Sequence, residues 1–233
     1  MKAIPKILFP VEAREECSIA LNECIEIAKH YSSVIHLVHV IPRHLPQAKE
    51  IERFVRARMA TYVRRIESAE LPAPVWQIER GVPFARLLQY AESRDIQLTV
   101  LSTVEKRGRP LLPVSAEKII RRSKRPVWVA SNGSSLPLER ILCAVDTSKH
   151  AAGALQSAIL LGQTFGIPLQ IMYVIPTMES AYPGLDRQIR QDVRQEMEAT
   201  FDAFLGRFDL SAVSWTTSLH EGDPAEEVVR EAK

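Results

Sequence analysis

The stretch Ile7-Leu8-Phe9-Pro10-Val11-Glu12 returns as Ile141-Leu142-Cys143-Ala144-Val145-Asp146, at a spacing of 134 residues. Each copy is a short apolar run that ends on a carboxylate and leads into a helix start. A buried strand with an acid at its carboxyl end is the core unit of an open parallel α/β sheet, where ligands gather beyond the strand ends. The register holds without a gap into the second strand. Val40-Ile41-Pro42 recurs as Val174-Ile175-Pro176, and Ala20, Leu21, Ala28 and Tyr31 return as Ala154, Leu155, Gly162 and Phe165. Arg80-Gly81-Val82-Pro83 is echoed by Glu221-Gly222-Asp223-Pro224 at a spacing of 141. A repeat this long marks two copies of one folding unit, the second with a longer segment before its third strand.

Outward from the opening strand, β-type runs alternate with amphipathic helices. Glu15 and Glu16 suit a helix first turn, and Cys17, Ala20, Leu21, Cys24, Ala28 and Tyr31 form its apolar face. Val34 to Ile41 reads as a strand stopped by Pro42. Pro46 opens a helix through about Ser68, with Ile51, Phe54, Val55, Tyr62, Val63 and Ile66 inward and its arginines outward. Pro74 to Glu79 is a third strand, and a helix follows from Gly81-Val82-Pro83. Leu98 to Leu101 is a fourth strand, Ser115 to Arg122 a short helix and Pro126 to Ala130 a fifth strand.

This alternation predicts two tandem doubly wound parallel-sheet α/β domains, 1–133 and 134–233, with strand order 3-2-1-4-5 and a crevice between the first and fourth strands. Ser131-Asn132-Gly133-Ser134-Ser135-Leu136-Pro137 reads as the linker. The second copy has no counterpart of residues 93–130, hence lacks its last two strands. Its strand Ile141 to Val145 is then an open edge, which further residues or another chain would cover.

Of the 233 residues, 46% are apolar and 25% charged, the balance of a globular protein, and no run reaches membrane-spanning length. Three cysteines without a Cys-x-x-Cys pair suit a reducing compartment, and the expected location is cytoplasmic. Residues 1–133 carry 22 Lys and Arg against 14 Asp and Glu; residues 134–233 carry 8 against 14. The halves are therefore of opposite sign, which either draws one half to phosphate-rich partners or favours association between the halves, as homo-oligomers or by domain–domain pairing.

The chain resembles the tandem form of the universal stress proteins. The resemblance rests on Lys6 to Glu12, Ile35 to Pro42, Gly81-Val82-Pro83, Ser115-Ala116-Glu117-Lys118 with Arg125 to Val129, Ile141 to Asp146, and His220 to Glu227. It implies a parallel α/β domain that dimerises and, in some members, binds ATP in the crevice. By that resemblance the adenosine contacts are an aspartate ending the first strand and the residues ending the second. A Gly-x2-Gly-x9-Gly-Ser/Thr loop wraps the phosphates, its glycines letting backbone N–H groups approach the oxygens. In the first copy the aspartate is Glu12 and the glycine positions fall on Ser102, Glu105 and Pro113. Proline removes a donor and glutamate brings negative charge. The first site, comprising Pro10, Val11, Glu12, Val40, Ile41, Ser102 and Ser115, thus reads as degenerate. The second keeps Ala144, Val145, Asp146, Val174 and Ile175 as an adenosine crevice, without the phosphate loop.

Lys106, Arg107, Arg109, Lys118, Arg121, Arg122, Lys124 and Arg125 cluster around the altered loop, without interleaved aromatic residues for nucleic acid. A solvated face is expected. His36, His39 and His44 invite a metal reading, but strand alternation sends His36 and His39 to opposite faces, so no metal site is expected. No catalytic triad spacing is present. The leading expectation is a non-enzymatic stress-response or regulatory protein acting through dimerisation and partner contacts. The alternatives are an adenine-nucleotide (ATP or AMP) sensor through Asp146, and an enzyme of nucleotidyl or phosphoryl chemistry.

Overall fold

A computed structural model describes residues 4–12, 18–45, 48–106, 109–130, 138–177, 184 and 186–233. Glu15, Glu16, Cys17, Pro46, Arg107, Gly108 and the linker 131–137 lie outside the described residues. The chain divides into two units, Met1–Leu136 and Pro137–Lys233.

In the first unit the elements are β1 (Lys6–Pro10), α1 (Ser18–Tyr31), β2 (Val34–Ile41), α2 (Ala48–Glu67), β3 (Val75–Arg80) and α3 (Pro83–Ser93). They are followed by β4 (Leu98–Ser102), β5 (Val104–Lys106), β6 (Arg109–Leu111), α4 (Val114–Arg122) and β7 (Val127–Ala130). Five of these strands form one sheet in the order β3-β2-β1-β4-β7, all pairs parallel, which is the expected 3-2-1-4-5. Ile7, Leu8 and Phe9 of β1 are buried because β2 and β4 flank the strand. Each such side chain contributes on the order of 1.5–3 kcal/mol by burial.

In the second unit β8 (Ile141–Val145), α5 (Lys149–Phe165), β9 (Leu169–Ile175), α6 (Arg187–Leu205), β10 (Trp215–Glu221) and α7 (Pro224–Glu231) follow the same plan. Its sheet has three parallel strands among the described residues, ordered β10-β9-β8. Leu155, Leu169, Ile171, Phe201 and Phe204 form its core, with Tyr173 stacked on Phe201 at 5.1 Å. β8 has the sequence of a central strand but stands at an edge, so Ile141 and Leu142 are half-buried and Ala144 is exposed.

Three findings depart from the sequence expectations. Phe54 points outward, 52% exposed, beneath the Arg58 guanidinium at 5.0 Å. The inward face of α2 runs through Val55, Met59, Tyr62 and Ile66, one position round the helix, while Ile51 and Val63 are half-buried. The segment between β4 and α4 is not an open loop, because β5 and β6 pair antiparallel as a hairpin. Glu23 on α1 is only 4% exposed, and its Oε2 accepts a 2.6 Å hydrogen bond from Trp128 Nε1 on β7.

Cys24 and Cys143 are free and buried, Cys24 on the apolar helix face where the sequence puts it. Burial pushes the Cys24 thiol far up and the Cys143 thiol up to about 11, so both stay protonated and unreactive.

Both strand-bound histidines are interior. His36 Nδ1 is hydrogen-bonded to the Tyr90 hydroxyl at 2.9 Å, and His39 Nδ1 donates to the Val11 carbonyl at 2.6 Å. Burial lowers the pKa of each below the usual 6.5, against the hydrogen bond to Val11 in the case of His39. For His36 the positive charges of Lys6 and Arg94 add to that effect.

Removing the acceptor in Glu23→Ala strands a half-buried indole N–H, and urea unfolding should show a loss of about 1 kcal/mol, with Glu23→Gln losing less. A depressed histidine pKa means that the unfolded chain takes up the proton first. Stability from His36 and His39 is therefore present above pH 6.5 and lost as pH falls through their folded values. In a Trp215→Phe background, where tryptophan fluorescence reports the first unit, the melting temperature should drop between pH 7.5 and 5. Replacing both histidines by Gln should flatten that slope.

Candidate functional site

The predicted first site gathers at the carboxyl ends of three adjacent strands. Pro10 ends β1 with Val11 and Glu12 behind it, Val40 and Ile41 end β2, and Ser102 ends β4. Val11 N–H donates to the Val38 carbonyl at 2.8 Å, and the Val11 carbonyl is held by His39. The Glu12 carbonyl accepts from Arg58 Nη1 at 2.8 Å. The main chain after β1 is therefore clamped from β2 and from α2. Val40 and Ile41 are buried, and the Ile41 carbonyl accepts from Gly81 N–H at 3.0 Å. These residues form a wall rather than a set of outward-facing donors.

On the phosphate side, Ser115 is half-buried as the second residue of α4, whose N-cap is Pro113 with no side-chain cap bond. The glycine positions of a phosphate loop fall on the flanks of the β5–β6 hairpin and within it. There Val104 faces Leu111, Glu105 faces Pro110 and Lys106 faces Arg109. Antiparallel pairing turns this backbone towards itself, whereas a phosphate cradle needs successive N–H groups free and convergent. Thr103, just before the hairpin, has a buried hydroxyl without a hydrogen-bond partner among the described residues. The sequence reading passed over it; its place directly after the fourth strand was the available signal.

In the second unit Asp146 is exposed at the end of β8. Its Oδ1 accepts from Ser148 N–H at 3.0 Å, and Ser148 Oγ in turn accepts from Ala151 N–H at 3.1 Å as the N-cap of α5. Hydrogen bonds from the Ser148 hydroxyl and N–H hold the Asp146 carboxyl below the usual 3.8. Between them Thr147 adopts φ +62°, a left-handed backbone that a β-branched residue rarely takes. The carboxylate is thus ionised, accessible and oriented by its own turn. Ser148 escaped the sequence reading, although a serine directly before a helix is a capping signal. Of the other expected contacts, Ala144 is exposed, but the Val145, Val174 and Ile175 side chains are buried, and the Ile175 carbonyl is taken by Gly222 N–H at 3.0 Å. Val174 and Ile175 can bound an adenine crevice only as its floor.

The basic cluster is largely compensated where its side chains are described. Arg121 pairs with Glu117 at 3.1 Å, Lys124 with Glu92 at 2.6 Å and Arg125 with Asp95 at 3.0 Å. Lys118 and Arg122 both sit 5.1 Å from the Phe84 ring. No group of three or more metal-ligating side chains occurs among the described residues, and none of their helices is long and apolar enough to cross a membrane.

The two units share a further constellation, with its chemistry exchanged. Near the end of β3, Glu79 pairs with Arg86 at 3.1 Å; near the end of β10, His220 meets Glu227 at 3.1 Å. Gly81 (φ +147°) and Gly222 (φ +154°) let these side chains pass, since an added Cβ would stand 2.9 Å from Arg86 Cγ and 3.0 Å from Glu227 Oε1. His36 with Tyr90 is answered by Gln170 Nε2 donating to Glu231 Oε1 at 2.6 Å. The last residues of the third strands are bridged with opposite signs. Arg80 meets Glu52, which also holds Arg56; Glu221 meets Arg194, which also holds Glu198.

The family model described as the universal stress protein family matches residues 3–131 and 137–233. A universal stress protein from Archaeoglobus fulgidus DSM 4304 superposes with a TM-score of 0.70 at 19% identity, covering 98% of this chain and 82% of its own. A functionally unknown protein from Pseudomonas aeruginosa PAO1 gives 0.65 at 15% identity, covering 99% and 78%. No curated protein sequence matches significantly. At these identities the solved structures speak for the fold, and the two-segment match speaks for descent. The chain belongs to the universal stress protein family.

Proposed function

We propose that this protein is a non-catalytic stress-response regulator whose first domain does not take up ATP and whose action lies in contacts with protein partners. The observation that carries this reading is the β5–β6 hairpin, which engages backbone where a phosphate-binding loop would present free N–H groups. The main chain behind β1, clamped by His39 and Arg58, supports it. So does the replacement of the first-strand aspartate by Glu12.

A role through association, as a homo-oligomer or by domain pairing, is supported by a strand edge that is unpaired among the described residues: β7 is an outer strand of the first sheet and carries Val129 exposed. The cytoplasm is the proposed location.

A second reading is favoured by one feature, the ionised and accessible Asp146 at the end of β8. In that reading the second-domain crevice holds the ribose and adenine of a nucleotide such as ATP or AMP, and the protein is a nucleotide sensor.

Calorimetric titration of the full chain with ATP separates the two. The regulator reading expects no saturable heat at concentrations up to about 1 mM, which corresponds to binding weaker than about 4 kcal/mol. Binding abolished by Asp146→Ala would establish the sensor instead, and tight binding that survives Asp146→Ala but is lost in Glu12→Ala would overturn the assignment of the first domain. Light scattering after gel filtration should give at least a dimer mass at micromolar concentration; a monomer at all concentrations would remove the association role.

A further inference from the structure

A cavity of about 150 Å³ lies between β3 and α3, on the edge strand of the first sheet and two strands away from β1 and its crevice. Its walls include Gln77, Glu79, Arg86, Gln89, Tyr90 and Arg94. We propose that this cavity binds a small monocarboxylate, independently of any nucleotide.

The hydrogen-bond inventory leaves one gap. Glu79 is engaged at both oxygens, its Oε1 accepting from Gln77 Nε2 at 2.6 Å and its Oε2 lying 3.1 Å from Arg86 Nη2. Arg86 Nη1 donates to Gln89 Oε1 at 2.7 Å. The third nitrogen of that guanidinium, Nε, is buried and has no acceptor among the described residues. Buried N–H groups in folded proteins are nearly always paired, so an acceptor from outside the chain is called for. Gly81 is what allows Arg86 to lie in this position.

The charge inventory leaves a matching gap. Arg94 is exposed, 5.7 Å from the Tyr90 ring, and no carboxylate lies within ion-pair distance of it among the described residues. Its backbone is fixed, since its carbonyl accepts from Lys6 Nζ at 2.9 Å. Two guanidinium groups and one carboxylate leave a single positive charge on the cavity wall. A monoanion offering acceptor oxygens to Arg86 Nε and to the Arg94 fork satisfies both gaps. A dianion such as hydrogen phosphate would carry an uncompensated charge beside Glu79.

The second domain provides an internal comparison. At the equivalent positions Glu227 is met by His220 and Arg230, and Glu231 by Gln170 and, at 3.6 Å, by His220 Nε2. There the polar side chains satisfy one another directly. The open cavity with an unpaired guanidinium nitrogen is a property of the first domain.

The test is an NMR titration of the full chain, following arginine Nε–H resonances, with Arg86→Lys used to assign the Arg86 signal by its disappearance. Sodium acetate is added against sodium chloride at equal ionic strength and against inorganic phosphate. The expected result is a saturable shift of the Arg86 resonance with acetate, weakened about tenfold or more in Arg94→Gln and unchanged in Arg121→Gln. An equal shift with chloride, a shift that does not saturate, or full retention in Arg94→Gln would overturn the site. Tighter binding of phosphate than of acetate would overturn the monocarboxylate assignment. Because the nucleotide titration reads Asp146 and Glu12, failure of either proposal leaves the other standing.

Discussion

Hydrogen bonding along both edges of β1 lets Ile7, Leu8 and Phe9 be sealed from solvent, and the first domain is arranged to keep those edges occupied. A strand buried in this way cannot leave its N–H and C=O groups unpaired. It therefore requires parallel neighbours on each side, crossovers to reach them and helices over the sheet. β8 carries the same kind of sequence with one neighbour, and its exposure pattern shows the difference: Cys143 and Val145 remain buried while Ala144 is open. Among the described residues the second domain is thus a core of Leu155, Ile171, Phe201 and Phe204 beneath a sheet in which β8 is an outer strand.

The same constraint explains why the two carboxylates at the strand ends have diverged. Behind β1 the chain is held by His39 and Arg58 through carbonyl groups of Val11 and Glu12, so the main chain there serves structure. Behind β8 the turn is self-contained. Asp146, Thr147 and Ser148 form a local unit in which the carboxylate orients the cap and the cap holds the carboxylate ionised. Thr147 bears a strained backbone within that unit, a cost of order 1–3 kcal/mol of the kind that persists where the surroundings over-determine the conformation.

Much of this was legible in the residues because it is periodic. Alternating apolar runs and helical faces placed every strand of the first parallel sheet and β8 of the second, and the recurrence at a spacing of 134 showed that there were two units. Parallel neighbours and crossover rules then left few strand orders to choose from. What could not be read was what depends on tertiary contact. The Glu23–Trp128 bond joins residues 105 apart, and no local pattern announces it. Phe54 and Met59 exchanged roles because helical periodicity fixes a face only to within about one residue. The β5–β6 hairpin was hidden because its strands have three residues each, and Pro110 argues against a strand by propensity alone. Among the site residues, the strand ends were legible and the direction of their side chains was not. Burial of Val174 and Ile175 follows from packing in the second sheet.

The paired constellations after the third strands bear on how the two halves have been able to change. Arg80 answers Glu52 in one half, and Glu221 answers Arg194 in the other; the polarity of the pair is reversed while its position is kept. At the neighbouring pair the acid has likewise changed sides, from the strand in Glu79–Arg86 to the helix in His220–Glu227. An acid copied from one half into the other would stand against the acid already present in that pair, so that neither half can overwrite the other one position at a time. The repeat has become two modules that no longer share spare parts, and each is free to acquire a chemistry of its own.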